Sequence, residues 1–102
     1  MRMTIHIFGY HTLRNPAVRH RVLGRHVAAQ QDHLDGFRRV PGVDGYQSVV
    51  PTDGYSVKGT AFKVTPDDLE KLDTNEDRYQ RQRVTLRSGK NAWVYRLKQE
   101  ET

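Results

Sequence analysis

Apolar and polar residues alternate at the start of the chain. Ile5 and Ile7 point one way, His6 and Phe8 the other, so Thr4 to Phe8 reads as a first strand. The period then lengthens. Asn15-Pro16 offers a helix cap followed by a proline at the first helical position. Ala17, Val18, Val22 and Leu23 give a short apolar stripe that Gly24 stops. From His26 to Asp35 neither period wins and no element is assigned. Gly36 to Val40 and Tyr46 to Val50 read as strands on either side of the turn-rich Pro41-Gly42-Val43-Asp44-Gly45. Pro51-Thr52-Asp53-Gly54 reads as a further turn. Tyr55 to Val64 is a long strand, and Gly59 inside it calls for a bulge or a close backbone approach. Thr65-Pro66-Asp67-Asp68 starts a second helix, with Leu69 and Leu72 on one face. Gln82 to Arg87 and Ala92 to Lys98 predict a hairpin across Ser88-Gly89-Lys90-Asn91, and the polar tail Gln99 to Thr102 is expected to fray.

Strand, helix, several strands, helix, two strands is an α+β order. Many short strands leave many edges, and a curved sheet closing toward a small mixed β-barrel would manage them. At 102 residues the chain makes one domain, 1–102, with a single modest core. No repeat or linker interrupts it.

Composition narrows the chemistry. Cysteine is absent, which removes disulfides, thiolate nucleophiles and cysteine metal sites and suits a reducing compartment. Neither a signal peptide nor a membrane span is legible, so a cytoplasmic protein without membrane contact is expected. The charge of +5 is uneven. Residues 1–40 hold seven Arg against Asp32 and Asp35, while residues 41–102 balance. The Arg-rich half reads as a solvated basic face or an attraction for small anions. No recognition helix, RNA platform or zinc finger accompanies it, so nucleic acid is not expected as a partner. Five histidines lack the spacing of a zinc site, so neither metal nor cofactor is expected. Ser48, Ser56 and Ser88 have no nucleophile-elbow context.

Two segments carry candidate chemistry. The stretch Leu72-Asp73-Thr74-Asn75-Glu76-Asp77-Arg78-Tyr79-Gln80-Arg81 places Glu76 between a helix and a strand. Such a junction can aim one acid into a cleft and tune its proton affinity. By pattern alone an acid after a helix is usually just solvated, and Asp73 could brace the turn. The segment Tyr10 to Asn15 leaves a strand and enters a helix. Its backbone N–H groups have no internal partner and would suit a substrate carboxylate.

Together these blocks resemble the γ-glutamylcyclotransferase-like family and its small AIG2-like members. Tyr10-His11-Thr12-Leu13, after Ile7-Phe8, stands where the family carries Tyr-Gly-Thr-Leu. Leu34-Asp35-Gly36-Phe37-Arg38-Arg39, Val57-Lys58-Gly59 and Ala92-Trp93-Val94-Tyr95 are similar to later strands. Leu72-Asp73-Thr74-Asn75-Glu76, with Tyr79, Arg81 and Val84, is similar to Leu-Asp-x-x-Glu…Tyr-x-Arg-x-x-Val. The likeness runs in order over about nine tenths of the chain. It implies a small mixed barrel with a cavity at one end. It also implies conversion of a γ-glutamyl amine or amide to 5-oxoproline and a free amine, without cofactor. Glu76 would be the catalytic acid–base group. Tyr10, His11, Thr12 and Leu13 would hold the glutamyl part, with Tyr79 and Arg81 lining or bracing the pocket. Monomer and weak homodimer both suit the size.

His11 departs from the family glycine, a residue used where φ is positive or a ligand comes close. The departure implies altered specificity, a weaker enzyme, or an inactive member. Such a member would bind an anionic ligand, nucleic acid or a protein partner through the Arg-rich half.

Overall fold

The computed structural model describes residues 4–98. Five strands, β1 (Ile5–Gly9), β2 (Ala29–Pro41), β3 (Gln47–Val64), β4 (Tyr79–Thr85) and β5 (Asn91–Leu97), form one sheet in the order β2-β3-β1-β5-β4. Strand β1 runs antiparallel to β3 and parallel to β5. Two helices, α1 (Pro16–Leu23) and α2 (Pro66–Asn75), join them, with short 3-10 turns at Thr12–Arg14 and Val43–Gly45.

Both faces of β1 are covered. Ile7 packs with Leu23, Phe62, Leu72 and Tyr95 on the helix side. Phe8 packs with Leu34, Val49 and Val94 on the inner side of the curl. Full burial of side chains of this size stabilises by about 1.5–3 kcal/mol each, so β1 anchors two small cores. The helix starts are built as the sequence predicts. Asn15 Oδ1 accepts from the Ala17 N–H at 2.8 Å. Thr65 and Asp68 cap α2 reciprocally, through bonds of 2.9 and 3.1 Å.

The expected α+β architecture is present, with a sheet that curls without a continuous ladder. Its two ends meet where the Arg87 N–H donates to the His33 carbonyl at 2.9 Å. Buried Asp32 accepts there from the Ser88 hydroxyl and the Ser88 N–H.

Three strand boundaries differ from expectation. The unassigned stretch 26–35 contains the first half of β2, and the expected turn at Pro51–Gly54 lies inside β3. Between the Asp35–Ser56 and Phe37–Pro51 pairs, β2 has one residue and β3 has four. Gly36 and Gly54 sit there at φ +83° and +82°. Turn residues therefore mark a bulge that bends two long strands, not a break between short ones. Strand β4 starts at Tyr79, three residues early, because Arg81 and Arg83 lie 4.6 and 5.4 Å from the Trp93 ring and behave as packed residues. Gly59 makes the close approach foreseen for it, since a Cβ there would strike the Gly9 carbonyl and the Phe8 ring. The tail predicted to fray lies outside the described residues.

Candidate active site

The site forms where β1 ends. Leaving the sheet at Gly9, the chain turns through Tyr10 and His11 into the 3-10 turn, and Asn15 then caps α1. Within the turn, the Arg14 and Asn15 N–H groups donate to the His11 and Thr12 carbonyls at 3.2 and 3.0 Å. The N–H groups of residues 11–13 precede these first donors and are left for other partners. Leu13 is buried and pins the turn to the core. Behind it lies Arg19 of α1, 5% exposed, whose guanidinium donates to the Leu13 and Arg14 carbonyls at 2.9 and 3.0 Å.

Helix α2 delivers the acid. It ends at Asn75, and Glu76 is its C-cap, with its N–H donating to the Leu72 carbonyl at 2.8 Å. The Tyr79 N–H then returns to the Glu76 carbonyl at 2.9 Å, which turns the chain into β4. The Glu76 side chain is half-buried and faces a cavity of about 310 Å³, open mouth included. Tyr10, His11, Thr12 and Leu13 form one wall; Tyr79 and Tyr95 stand with Glu76 on the others, over Phe8 and Gly9.

Burial pushes the Glu76 carboxyl above its ordinary value of 4.5, and the charge of Asp77 adds to the rise; the Asn75 side chain opposes it. No cation lies within 4 Å of it among the described residues. The tyrosines stay neutral, because burial raises all three hydroxyls. Each hydroxyl is tied down. Tyr10 donates to the Tyr95 carbonyl at 2.6 Å and Tyr79 to the Gln47 carbonyl at 2.8 Å. Tyr95 donates to Asp73 at 2.8 Å. The cavity therefore has rigid aromatic walls and a carboxyl whose proton affinity burial has raised.

Six of the seven predicted site residues come together here: Glu76, Tyr10, His11, Thr12, Leu13 and Tyr79. Arg81 does not line the cavity. Its Nε donates to Asp73 at 2.8 Å and its guanidinium covers Trp93, so it braces the acceptor of Tyr95 from outside. Sequence reasoning gave no site role to Tyr95 or Arg19. Tyr95 was within reach, since it shares a strand face with Trp93. Arg19 was read only as part of the Arg-rich half, solvated or attracting small anions, and the structure buries it. His11 is exposed with φ −131°, so no left-handed backbone strain accompanies its side chain. Among the described residues no cluster of His, Asp or Glu could hold a metal ion, and no helix is long and apolar enough to cross a membrane.

Residues 7–102 match the family described as gamma-glutamyl cyclotransferase, AIG2-like. The chain belongs to this family. Membership in the AIG2-like gamma-glutamyl cyclotransferases points to cyclotransferase activity in general and to a small-molecule substrate. Solved structures agree on the fold. A solution structure of At5g39720.1 from Arabidopsis thaliana is 25% identical with a TM-score of 0.83, covering 99% of this chain and 73% of its own. A second, At3g28950.1 from the same plant, is 22% identical with a TM-score of 0.80, covering 95% and 64%. A structure titled gamma-glutamyl cyclotransferase is 18% identical with a TM-score of 0.80, covering 97% and 69%. This AIG2-like chain thus spans roughly two thirds of the length of these relatives. Among curated proteins no match was found.

Proposed function

We propose that the protein converts a γ-glutamyl amine or amide into 5-oxoproline and a free amine, with Glu76 moving the proton. One observation carries the reading. A half-buried carboxyl of raised proton affinity shares a small cavity with the Tyr10–Leu13 turn.

The reaction needs no nucleophile from the protein. The substrate's α-amino nitrogen attacks its own γ-carbonyl carbon and closes a five-membered ring. Folding the substrate against rigid tyrosine walls supplies much of the rate through proximity. Ionised Glu76 accepts a proton from the α-ammonium, which frees the nitrogen lone pair. As the γ-carbon–nitrogen bond breaks, protonated Glu76 gives that proton to the departing nitrogen, and the second proton shed by the ring nitrogen follows through the same carboxylate, leaving the neutral lactam and the amine as its ammonium. A raised pKa suits both roles, because the same group must hold the proton and then release it. In this reading the N–H groups of residues 11–13, which precede the first donors of the 3-10 turn, receive the substrate's carboxylate. Exposed His11 stands at the mouth, where it would touch the part of the substrate that distinguishes one leaving amine from another.

Incubation with a panel of γ-glutamyl amines and γ-glutamyl amino acids, read by 5-oxoproline release, tests the reading. Turnover of at least one compound, lost in Glu76→Gln with the fold intact, is the expected result. Full turnover in that variant would remove Glu76 from the mechanism.

A further inference from the structure

Arg19 is the least expected charge in the molecule. It is 5% exposed, yet no carboxylate lies within 4 Å of it among the described residues. One of its terminal nitrogens meets two neutral carbonyls, its Nε has no partner, and its guanidinium lies 5.5 Å from the Phe62 ring centre. A buried cation without a counter-ion is costly, and folds keep one where an anion or a function compensates. Burial lowers its proton affinity, but a guanidinium remains charged at any physiological pH. Both carbonyls belong to the turn that walls the cavity, and Leu13 itself lines it.

We propose that Arg19 is a positioning residue that supplies the buried counter-charge for an anionic carboxylate on the ligand, acting through the Thr12–Arg14 turn. Two effects combine. Its bonds to the Leu13 and Arg14 carbonyls hold the turn whose residues Thr12 and Leu13 line the cavity. Its charge, joined to that wall through the two carbonyls and largely covered by protein, favours a negative ligand over a neutral one of the same shape. The inference rests on the cyclotransferase reading for the ligand's identity: the carboxylate is the one that substrate and 5-oxoproline share.

The test compares 5-oxoproline with its neutral carboxamide. Dissociation constants come from calorimetry or NMR titration, for the wild type, Arg19→Met and Arg19→Lys. The wild type should prefer the carboxylate about tenfold or more, and the preference should persist at high salt, because the charge is buried. In Arg19→Met that preference should collapse toward unity, and Arg19→Lys should restore part of it. A purely structural role would weaken both ligands equally and leave their ratio unchanged, which would overturn the proposal. Where Arg19→Met fails to fold, the salt series on the wild type decides: a preference abolished by salt would place the charge at the surface and refute a buried source. If the wild type binds neither ligand, the cyclotransferase reading itself fails. If it discriminates and Arg19→Met discriminates equally, only the role of Arg19 fails.

Discussion

Helix α2 carries a functional-looking carboxylate at each end, and the two ends treat charge in opposite ways. Asp68 in the first turn is 1% exposed and fully answered. It pairs with Arg25, accepts from the Thr65 N–H, and sits at the positive end of the helix dipole. The Arg25 guanidinium holds its carboxyl far below the usual range, and its bonds to Thr65 add to this against the cost of burial. Glu76, the C-cap, lies at the negative end, half-buried and without a cation. Burial raises its pKa. One carboxylate is stabilised as an ion and holds the fold together. The other is destabilised as an ion, which leaves its proton available for exchange.

The largest expected effect falls on the unpaired end. Glu76→Gln should lower kcat/KM for the best γ-glutamyl substrate by roughly 10²–10⁴-fold, the range typical of losing a general acid–base group. Next comes the paired end. Asp68→Asn weakens a half-exposed ion pair and half of a capping box, and should lower stability in urea unfolding by more than loss of the cap alone while leaving the chemical step nearly unchanged. If Asp68→Asn instead abolished turnover in a folded protein, the division of labour between the two ends would be wrong. Thr65→Ala should cost about 1 kcal/mol through the cap alone. Tyr95→Phe should be smaller still in stability, near ~1 kcal/mol or below, since Arg81 continues to hold Asp73.

The two ends also predict opposite pH signatures. The stabilisation from Asp68 is complete above its unfolded pKa near 3.8 and is lost as pH falls below that value toward the depressed folded one. Glu76 behaves inversely. Its folded pKa exceeds 4.5, so its contribution is complete below 4.5 and is lost as pH rises through the folded value. Ionised Glu76 therefore costs stability at neutral pH. Glu76→Gln should raise Tm at pH 7, and that gain should vanish by about pH 4. Thermal melts across pH 3–8 measure both trends.

Much of the frame was legible from the residues. The capped starts of both helices follow from Asn15-Pro16 and Thr65-Pro66, and β1 from its alternation, because these signals act within a few residues. At the bulge, Pro51–Gly54 was read as a turn and Gly36 as the start of a strand, since local composition cannot tell a bend within paired strands from a chain reversal; pairing decides it. The start of β4 was missed because Arg81 and Arg83 bury their stems against Trp93, which a polar pattern hides. At the site, motif order named Glu76 and Tyr10–Leu13 as candidates, and the fold brings them to one cavity. The burial of Arg19 was not legible, because it depends on a turn folding back over the first helix.

In the proposed reaction Glu76 holds its proton more tightly than an ordinary glutamate, in a cavity where that proton can be passed to substrate. Side-chain carboxyl ¹³C NMR, recorded from pH 2 to 8 beside the pH profile of kcat/KM, tests it directly. The account predicts a Glu76 midpoint above 4.5 that coincides with the acid limb of the rate profile, while Asp68 titrates below 3.8. A Glu76 midpoint at or below 4.5, or a rate profile that ignores it, would contradict this assignment.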